Sequence, residues 1–517
     1  MTAVASTGRG SARRSPAAVR PGLILAFLCV VQSTVYLDVT IVNVALPSIQ
    51  HSLHMRAGDL QFVVTAYGTV LGGFLLLGGR LADTLGRRRL LRAGLLLFGA
   101  ASLTAGLTHT AGLLIAARGV QGLGAALTAP AALSTLTSTF TTEPARTKAL
   151  GVWGALAGVA SVLGVLFGGL LTQGPGWRWV FFINVPIAAF AVLAAPFVLP
   201  EHLDERRRRG TFDTTGAVTL TAGLLLLIYS LDETVTAGWQ NARTVAGLAG
   251  AVVLLVLFTV TEARTREPLL PLRIFRRPTL RTANVTTVLA FGALVTLFFF
   301  ASLFMQQVLG YDALKTGLAY VPLALAVAVG AGTASGLITK VPGKPVLIAG
   351  LALAAGGLLL LAGLPQDAGY PAEVLPPFLL VGVGLGMSFV PLQVAAAFGV
   401  PAGESGLAAG LINTSQEAGG ALGVAVISTV AFTRVDHRMA GAAGDPAEAL
   451  RAAQASGFHQ AFFLAACFTL AAAVLAVALL PALRMSPPQP VDPKPVDPQP
   501  VDPRPTDPRP ADAGPAR

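Results

Sequence analysis

The feature that most constrains this chain is the recurrence, from near its start almost to its end, of apolar runs long enough to cross a lipid bilayer. A helix needs about 20 mostly apolar residues to span the hydrocarbon core. Such runs lie near residues 23–46, 60–78, 90–107, 111–133, 150–171, 179–199, 215–231, 244–260, 283–306, 318–338, 346–364, 375–398, 407–432 and 461–480. A bilayer offers no water to backbone groups, so runs of this kind predict an all-α integral membrane protein with fourteen transmembrane helices. Composition agrees: 54% of residues are hydrophobic and only 12% charged, which excludes a soluble multidomain protein. The 57 glycines, many inside apolar runs, suit helices that pack closely in lipid. Arg9, Arg13, Arg14 and Arg20 before the first run imitate a signal peptide, but the run is too long for a cleaved one.

Placement of the basic residues sets the orientation. With both termini cytoplasmic, 28 of the 36 Lys and Arg fall in inner loops and tails and seven in outer loops, while Arg118 lies within a span. The positive-inside rule therefore places both ends in the cytoplasm and the chain in a cytoplasmic membrane as a multi-pass protein. It also accounts for the net charge of +11 without nucleic acid, since the cations sit in short clusters between spans. Cys29 and Cys467 both fall in apolar segments and read as small hydrophobes. From Pro490 the chain repeats PVDPK, PVDPQ, PVDPR and PTDPR, a density of proline that predicts an extended, disordered tail.

Loop 2–3 carries Gly79-Arg80-Leu81-Ala82-Asp83-Thr84-Leu85-Gly86-Arg87, and loop 10–11 carries Gly336-Leu337-Ile338-Thr339-Lys340-Val341-Pro342-Gly343-Lys344. Both place two glycines seven apart with a basic residue after the second. This echo divides the chain into an N-terminal tail (1–22), a six-helix bundle (23–199), loops with two inserted helices (200–282), a second six-helix bundle (283–480) and the repeat tail (481–517).

The loop 2–3 string resembles the signature loop of the major facilitator superfamily. The stretch from Leu37-Asp38 through Asn43 to Pro47 resembles the helix-1 motif of its fourteen-helix drug:proton antiporter branch, and Arg118-Gly119-Val120-Gln121-Gly122-Leu123-Gly124 the helix-4 motif. Trp177-Arg178-Trp179-Val180-Phe181-Phe182-Ile183-Asn184-Val185-Pro186 is similar to the branch too, as is Asn413-Thr414-Ser415-Gln416-Glu417-Ala418-Gly419-Gly420. The helix-5 motif departs from the pattern: Gly164, Gly168 and Gly169 stand without the Gly-Pro pair, so the kink proline favours is not encoded. Asn43, Gln121, Gly122, Gly164, Gly168, Gly169, Asn413 and Gln416 are the cavity and helix-packing residues of these motifs.

Ionisable residues within the hydrocarbon are costly and mark function. Asp38 and Glu417 are the acids read as well inside a span. Asp38 lies about 12 Å below the outer end of span 1 and Arg118 about 10 Å into span 4, depths that match and permit an ion pair. Functionally this is a proton site in which protonation of Asp38 loosens Arg118; the alternative is a static structural bridge. Glu417 lies about 15 Å into span 13. It either attracts a cationic substrate, binds a proton, or sits as a protonated acid bonded between helices. The resemblance implies that Gly79, Asp83, Gly86 and Arg87 form a conformational latch at the membrane edge, where Asp83 can meet a helix N-terminus or a basic residue across the bundle interface. Arg88 and Arg89 have the simpler reading of topological charges.

The sequence holds no phosphate-cradling G-x-x-x-x-G-K-[ST] string, no metal-ligand cluster and no nucleophile constellation. No enzyme, nucleotide or cofactor role is expected, and an ion gradient is the natural energy source. The resemblance implies a monomeric bacterial exporter that exchanges external protons for an amphipathic drug or antibiotic by alternating access. Arginine's excess over lysine, 31 to 5, fits a bacterium with a G+C-rich genome. Two other readings stand beside it: a proton-coupled importer or metabolite exporter of the same fold, and a lipid-handling or partner-binding membrane protein.

Overall fold

The computed structural model describes residues 21–55, 57–199, 213–265, 268–338, 340–400, 404–441 and 445–481. The N-terminal tail, the arginine cluster at 206–209 and the repeat tail lie outside the described residues.

Fourteen helical rods run through the described chain: α1 Pro21–Leu53, α2 Ala57–Leu85, α3 Arg87–Leu107, α4 Ala111–Thr139, α5 Glu143–Gln173, α6 Trp179–Val198, α7 Thr214–Ala237, α8 Ala242–Arg264, α9 Pro278–Val308, α10 Lys315–Ile338, α11 Gly343–Leu361, α12 Tyr370–Ala397, α13 Ser405–Ala440 and α14 Pro446–Leu479. Thirteen of them are long and apolar enough to cross a membrane among the described residues, and α5, 31 residues long, completes the expected fourteen. No strand occurs among the described residues.

Several helices outrun the apolar runs that mark them. α1 continues to Leu53, α13 to Ala440, and α14 begins at Pro446, well before its apolar run. Helical hydrogen bonding continues past the hydrocarbon edge, where polar residues such as His51 and Gln454 face no penalty. The same effect carries further acids into the ends of the helices: besides Asp38 and Glu417, which lie well inside their spans, Asp83 lies near the end of Phe62–Leu85, Asp232 and Glu233 near the end of Thr214–Thr234, and Glu262 near the end of Ala242–Arg264.

Packing follows the small residues. α1 to α6 associate mainly with one another, as do α9 to α14. α2 crosses α13 and α5 crosses α10, which joins the two groups. Gly79 of α2 is pressed against Gly406 and Gly410 of α13, so a Cβ on Gly79 would run into the Gly406 carbonyl oxygen. On the other seam a Cβ on Gly151 of α5 would sit 2.8 Å from the Ser335 Cβ of α10. Glycine here lets backbones approach where lipid gives no hydrophobic drive for association.

The hairpin of α7 and α8 lies against α2 and α13. Leu220, Leu224 and Phe258 of the hairpin share one apolar cluster with Leu76, Leu407, Leu411 and the linker residues Leu269 and Ile274. At the other end of α7 the Trp239 indole N–H donates to the Thr429 hydroxyl of α13 at 2.6 Å.

Candidate functional site

Asp38 sits near the middle of α1, fully enclosed at 0% exposure. Its carboxylate is met from two sides. Arg118 Nη1 of α4 donates to Oδ2 at 2.5 Å. Oδ1 accepts from Gln121 Nε2 at 2.6 Å and from Asn184 Nδ2 of α6 at 2.8 Å. Arg118 is also held elsewhere: Nε donates to the Val63 carbonyl at 2.9 Å, Nη1 to Gln121 Oε1 at 2.7 Å, and its guanidinium lies 4.4 Å from the Tyr67 ring centroid. Gln121, which also donates to the Ser102 hydroxyl at 2.8 Å, thus links acid, base and α3. A buried ion pair survives desolvation only when further hydrogen bonds complete it, and four helices contribute them here.

The sequence pattern placed Asp38 and Arg118 together but gave Gln121 a packing role and did not single out Asn184, Ser102 or Tyr67. Asn184 was visible only inside the motif that enters α6. It reaches Asp38 because α6 is broken at Ile183 into Trp179–Phe182 and Asn184–Val198, so a new helix starts with this side chain facing α1.

Glu417 on α13 is half-buried, and its stem rests on Gly72 of α2, whose missing side chain leaves room for it. Among the described residues it has no hydrogen bond or ion pair. It is close enough to Tyr36 of α1 and Tyr67 of α2 for its charge to act on both phenols. Asn43 is exposed two turns along α1 from Tyr36 and so shares its face. Asn413 is half-buried and Gln416 buried on α13.

The motif glycines act by contact. A Cβ on Gly122 would strike the Tyr67 carbonyl, one on Gly164 the Thr40 hydroxyl, and one on Gly168 would lie 3.0 Å from the Ile41 carbonyl; Gly169 is buried beside them. α4 therefore lies tight on α2, and α5 on α1, with the face of α1 that bears Asp38 left to α4 and α6.

At one end of the molecule Asp83 accepts hydrogen bonds from the Gly406 and Leu407 amides at 3.1 and 3.0 Å, capping the start of α13 across the bundle seam. Arg87 stands 3.7 Å away on the same carboxylate and donates to the Ser134 carbonyl. Gly86 carries the α2–α3 turn with φ of 97°, where any other residue would be strained. Arg80 donates to the Pro268 carbonyl and Arg88 to the Leu199 carbonyl, so the loop's arginines also tie it to neighbouring segments. In the echo loop Lys344 donates to the Val477 carbonyl at 2.6 Å, a bond within the second bundle.

The sequence pattern of the Major Facilitator Superfamily matches residues 28–424. This chain belongs to that superfamily. Similar curated proteins include the puromycin resistance protein pur8 of Streptomyces alboniger, 38% identical over 410 residues, 78% of this chain and 81% of that one. The cephamycin export protein CmcT of Amycolatopsis lactamdurans is 37% identical over 450 residues, 87% and 91% of the two chains. The tetracenomycin C resistance and export protein of Streptomyces glaucescens is 34% identical over 418 residues, 80% and 77%. They place this transporter in the superfamily's drug-efflux branch. Among solved structures, the human organic anion transporter MFSD10 matches with a TM-score of 0.61 at 16% identity, over 88% of this chain and 99% of that one. The proton:xylose symporter XylE bound to 6-bromo-6-deoxy-D-glucose matches with a TM-score of 0.61 over 89% and 96%. At this identity both speak for the fold alone.

Proposed function

We propose that this transporter expels a small amphipathic molecule of the antibiotic class in exchange for external protons, with Asp38 as the coupling acid. The observation that carries the reading is Asp38 itself: a fully buried carboxylate with one arginine and two amide donors, in a chain whose relatives carry export and resistance names. Removing the negative charge from such a pair leaves an uncompensated cation, at a cost of about 3–5 kcal/mol in comparable buried pairs. Arg118 keeps the Val63 carbonyl, Gln121 and the Tyr67 ring when Asp38 is protonated, so it has somewhere to remain. Proton uptake then shifts the packing of α1 against α4 and α6, and α2, which carries Tyr67, also carries Asp83 at the bundle seam. Release of Asp83 from the α13 amides would open that end.

The basic residues support an orientation with the Asp83 end and both termini in the cytoplasm of a bacterial cell. Reporter domains fused after residue 209 and after α14 are expected to report cytoplasm. A periplasmic signal from either would overturn the fourteen-span arrangement.

The central test is Asp38→Asn in everted vesicles supplied with a candidate antibiotic from outside under an imposed pH gradient. The variant is expected to lose gradient-driven accumulation while substrate exchange without a gradient persists. Full accumulation would remove Asp38 as the coupling acid.

A further inference from the structure

The hairpin of α7 and α8 is an addition to the two six-helix groups, and it brings an acid into the membrane that the proposed cycle does not use. Asp232 lies on α7 one turn beyond Ile228, and so on the same face of the helix. That face is the one against α2 and α13: Ile228 Cδ1 lies over Gly72, beside the Cβ of Glu417, which is 3.2 Å from the position a Gly72 Cβ would take. Asp232 and Glu417 therefore face one meeting point of three helices, close enough for the Asp232 charge to act on Glu417. Neither has a hydrogen bond or ion pair among the described residues. Glu233, next along α7, is directed instead to Tyr229.

A second, independent feature marks the space between this pair and Asp38. The Tyr67 hydroxyl is buried in a residue only 2% exposed and has no hydrogen-bond partner among the described residues. It lies close enough to Asp38, Glu417 and Arg118 for the charges of all three to act on it. Gln32 on α1, 4% exposed, likewise leaves its Oε1 unpartnered while bonding Tyr36, the phenol nearest Glu417 on that helix. Buried polar atoms without partners are rare and point to something that occupies the space when the protein works.

We propose that Asp232 and Glu417 form one proton-binding site, built by the inserted helix against α2 and α13, that takes up a second proton in each exchange cycle alongside Asp38. Two carboxyls that face each other at low dielectric, with no cation paired to either among the described residues, do not both ionise. They titrate as a unit that alternates between one proton and two, so the pair moves between charge −1 and neutrality. The facing charged and titratable groups are Tyr36 on α1, Tyr67 on α2, the Asp38–Arg118 pair beyond Tyr67, and Glu233 with Tyr229 on α7 itself. The inference rests on the proton-exchange reading above and assigns the inserted hairpin a part in it.

Two measurements separate the inference from that reading. Infrared difference spectra of the purified full chain in lipid vesicles, taken across a pH titration, report protonated carboxyls directly and require no transport. The carboxylic band is expected to move in Asp232→Asn and in Glu417→Gln, to disappear in the double variant, and to persist in Asp38→Asn. A band unchanged in the double variant overturns the pair even if export proves proton-driven. The second measurement is coupling in vesicles, read from the potential at which substrate flux reverses. Asp232→Asn/Glu417→Gln, which removes both carboxyls, is expected to export with about one proton fewer per substrate. Asp232→Glu, which keeps both carboxyls, is expected to retain the wild-type ratio. An unchanged ratio in the double variant would remove the pair from the coupling machinery, whereas a ratio of zero in the wild type would instead overturn the exchange reading.

Discussion

Three donors converge on Asp38, and they differ in what their removal does. Gln121 bonds Asp38, Arg118 and Ser102 at once, so its loss disturbs the whole cluster. Asn184 makes a single contact with Asp38 from α6 and is the sharper probe. Asn184→Ala deletes one hydrogen bond to a charged group, worth about 1.5–3 kcal/mol, or roughly tenfold or more in an equilibrium between protonation states. Gradient-driven export is expected to fall about tenfold while gradient-free substrate exchange stays close to wild type. Equal losses in both assays would make Asn184 a packing residue. This is also where sequence reading ran short. Depth along two helices was enough to pair Asp38 with Arg118, because a span has a known rise. It could not find Asn184, since that contact depends on how α6 breaks at Ile183 and rotates against α1. Tyr67 escaped for another reason: its ring serves Arg118, and nothing in a run of apolar neighbours distinguishes a tyrosine with that task.

Among the elements, α2 links the two sites. Its middle supplies the Val63 carbonyl and Tyr67 to Arg118, and its end supplies Asp83 to the first amides of α13. Asp83→Asn keeps an oxygen for one amide but gives up the charge that the helix terminus and Arg87 favour. That interaction is worth about 0.3–1 kcal/mol at exposed helix ends and up to about 2 when partly buried. Such a change shifts a two-state equilibrium several-fold with little effect on folding. Transport is therefore expected to drop several-fold while the thermal unfolding midpoint in detergent moves little. Unchanged transport at equal expression would reduce Asp83 to a capping residue. The Asp83 contact was legible because a single acid stands between the two glycines of a short loop, and helix termini attract carboxylates. The lengths of the helices were less so. Hydropathy marks where lipid begins, and α7 runs on to Ala237 beyond its apolar stretch, which is how Asp232 came to lie within a helix and not at its edge.

At the scale of the whole molecule, the two helix groups touch along two seams at the end that bears Asp83. Gly79 of α2 lies on Gly406 and Gly410 of α13, and Gly151 of α5 lies on Ser335 of α10, whose hydroxyl donates to the Thr147 carbonyl at 3.2 Å. The chain runs alternately up and down, so the last turns of α2 and α10 and the first turns of α5 and α13 all share this end. If the groups rock as bodies about a central site, both seams must part in every cycle. A covalent tie across one seam tests this without touching any ionisable residue. Cysteines at 151 and 335 have Cβ positions 2.8 Å apart, closer than the roughly 3.8 Å of a relaxed disulfide, so the helices must yield by about 1 Å to accept the bond. The native Cys29 and Cys467, which lie half-buried and exposed, are first replaced by serine to keep the reading clean. Under oxidising conditions export by Gly151→Cys/Ser335→Cys is expected to fall to background, and a reductant is expected to restore it. Each single-cysteine variant should be insensitive to the oxidant. Export that continues through a fully formed cross-link would mean that the α5–α10 seam stays closed throughout transport, leaving α2 and α13, with the hairpin against them, as the only moving wall.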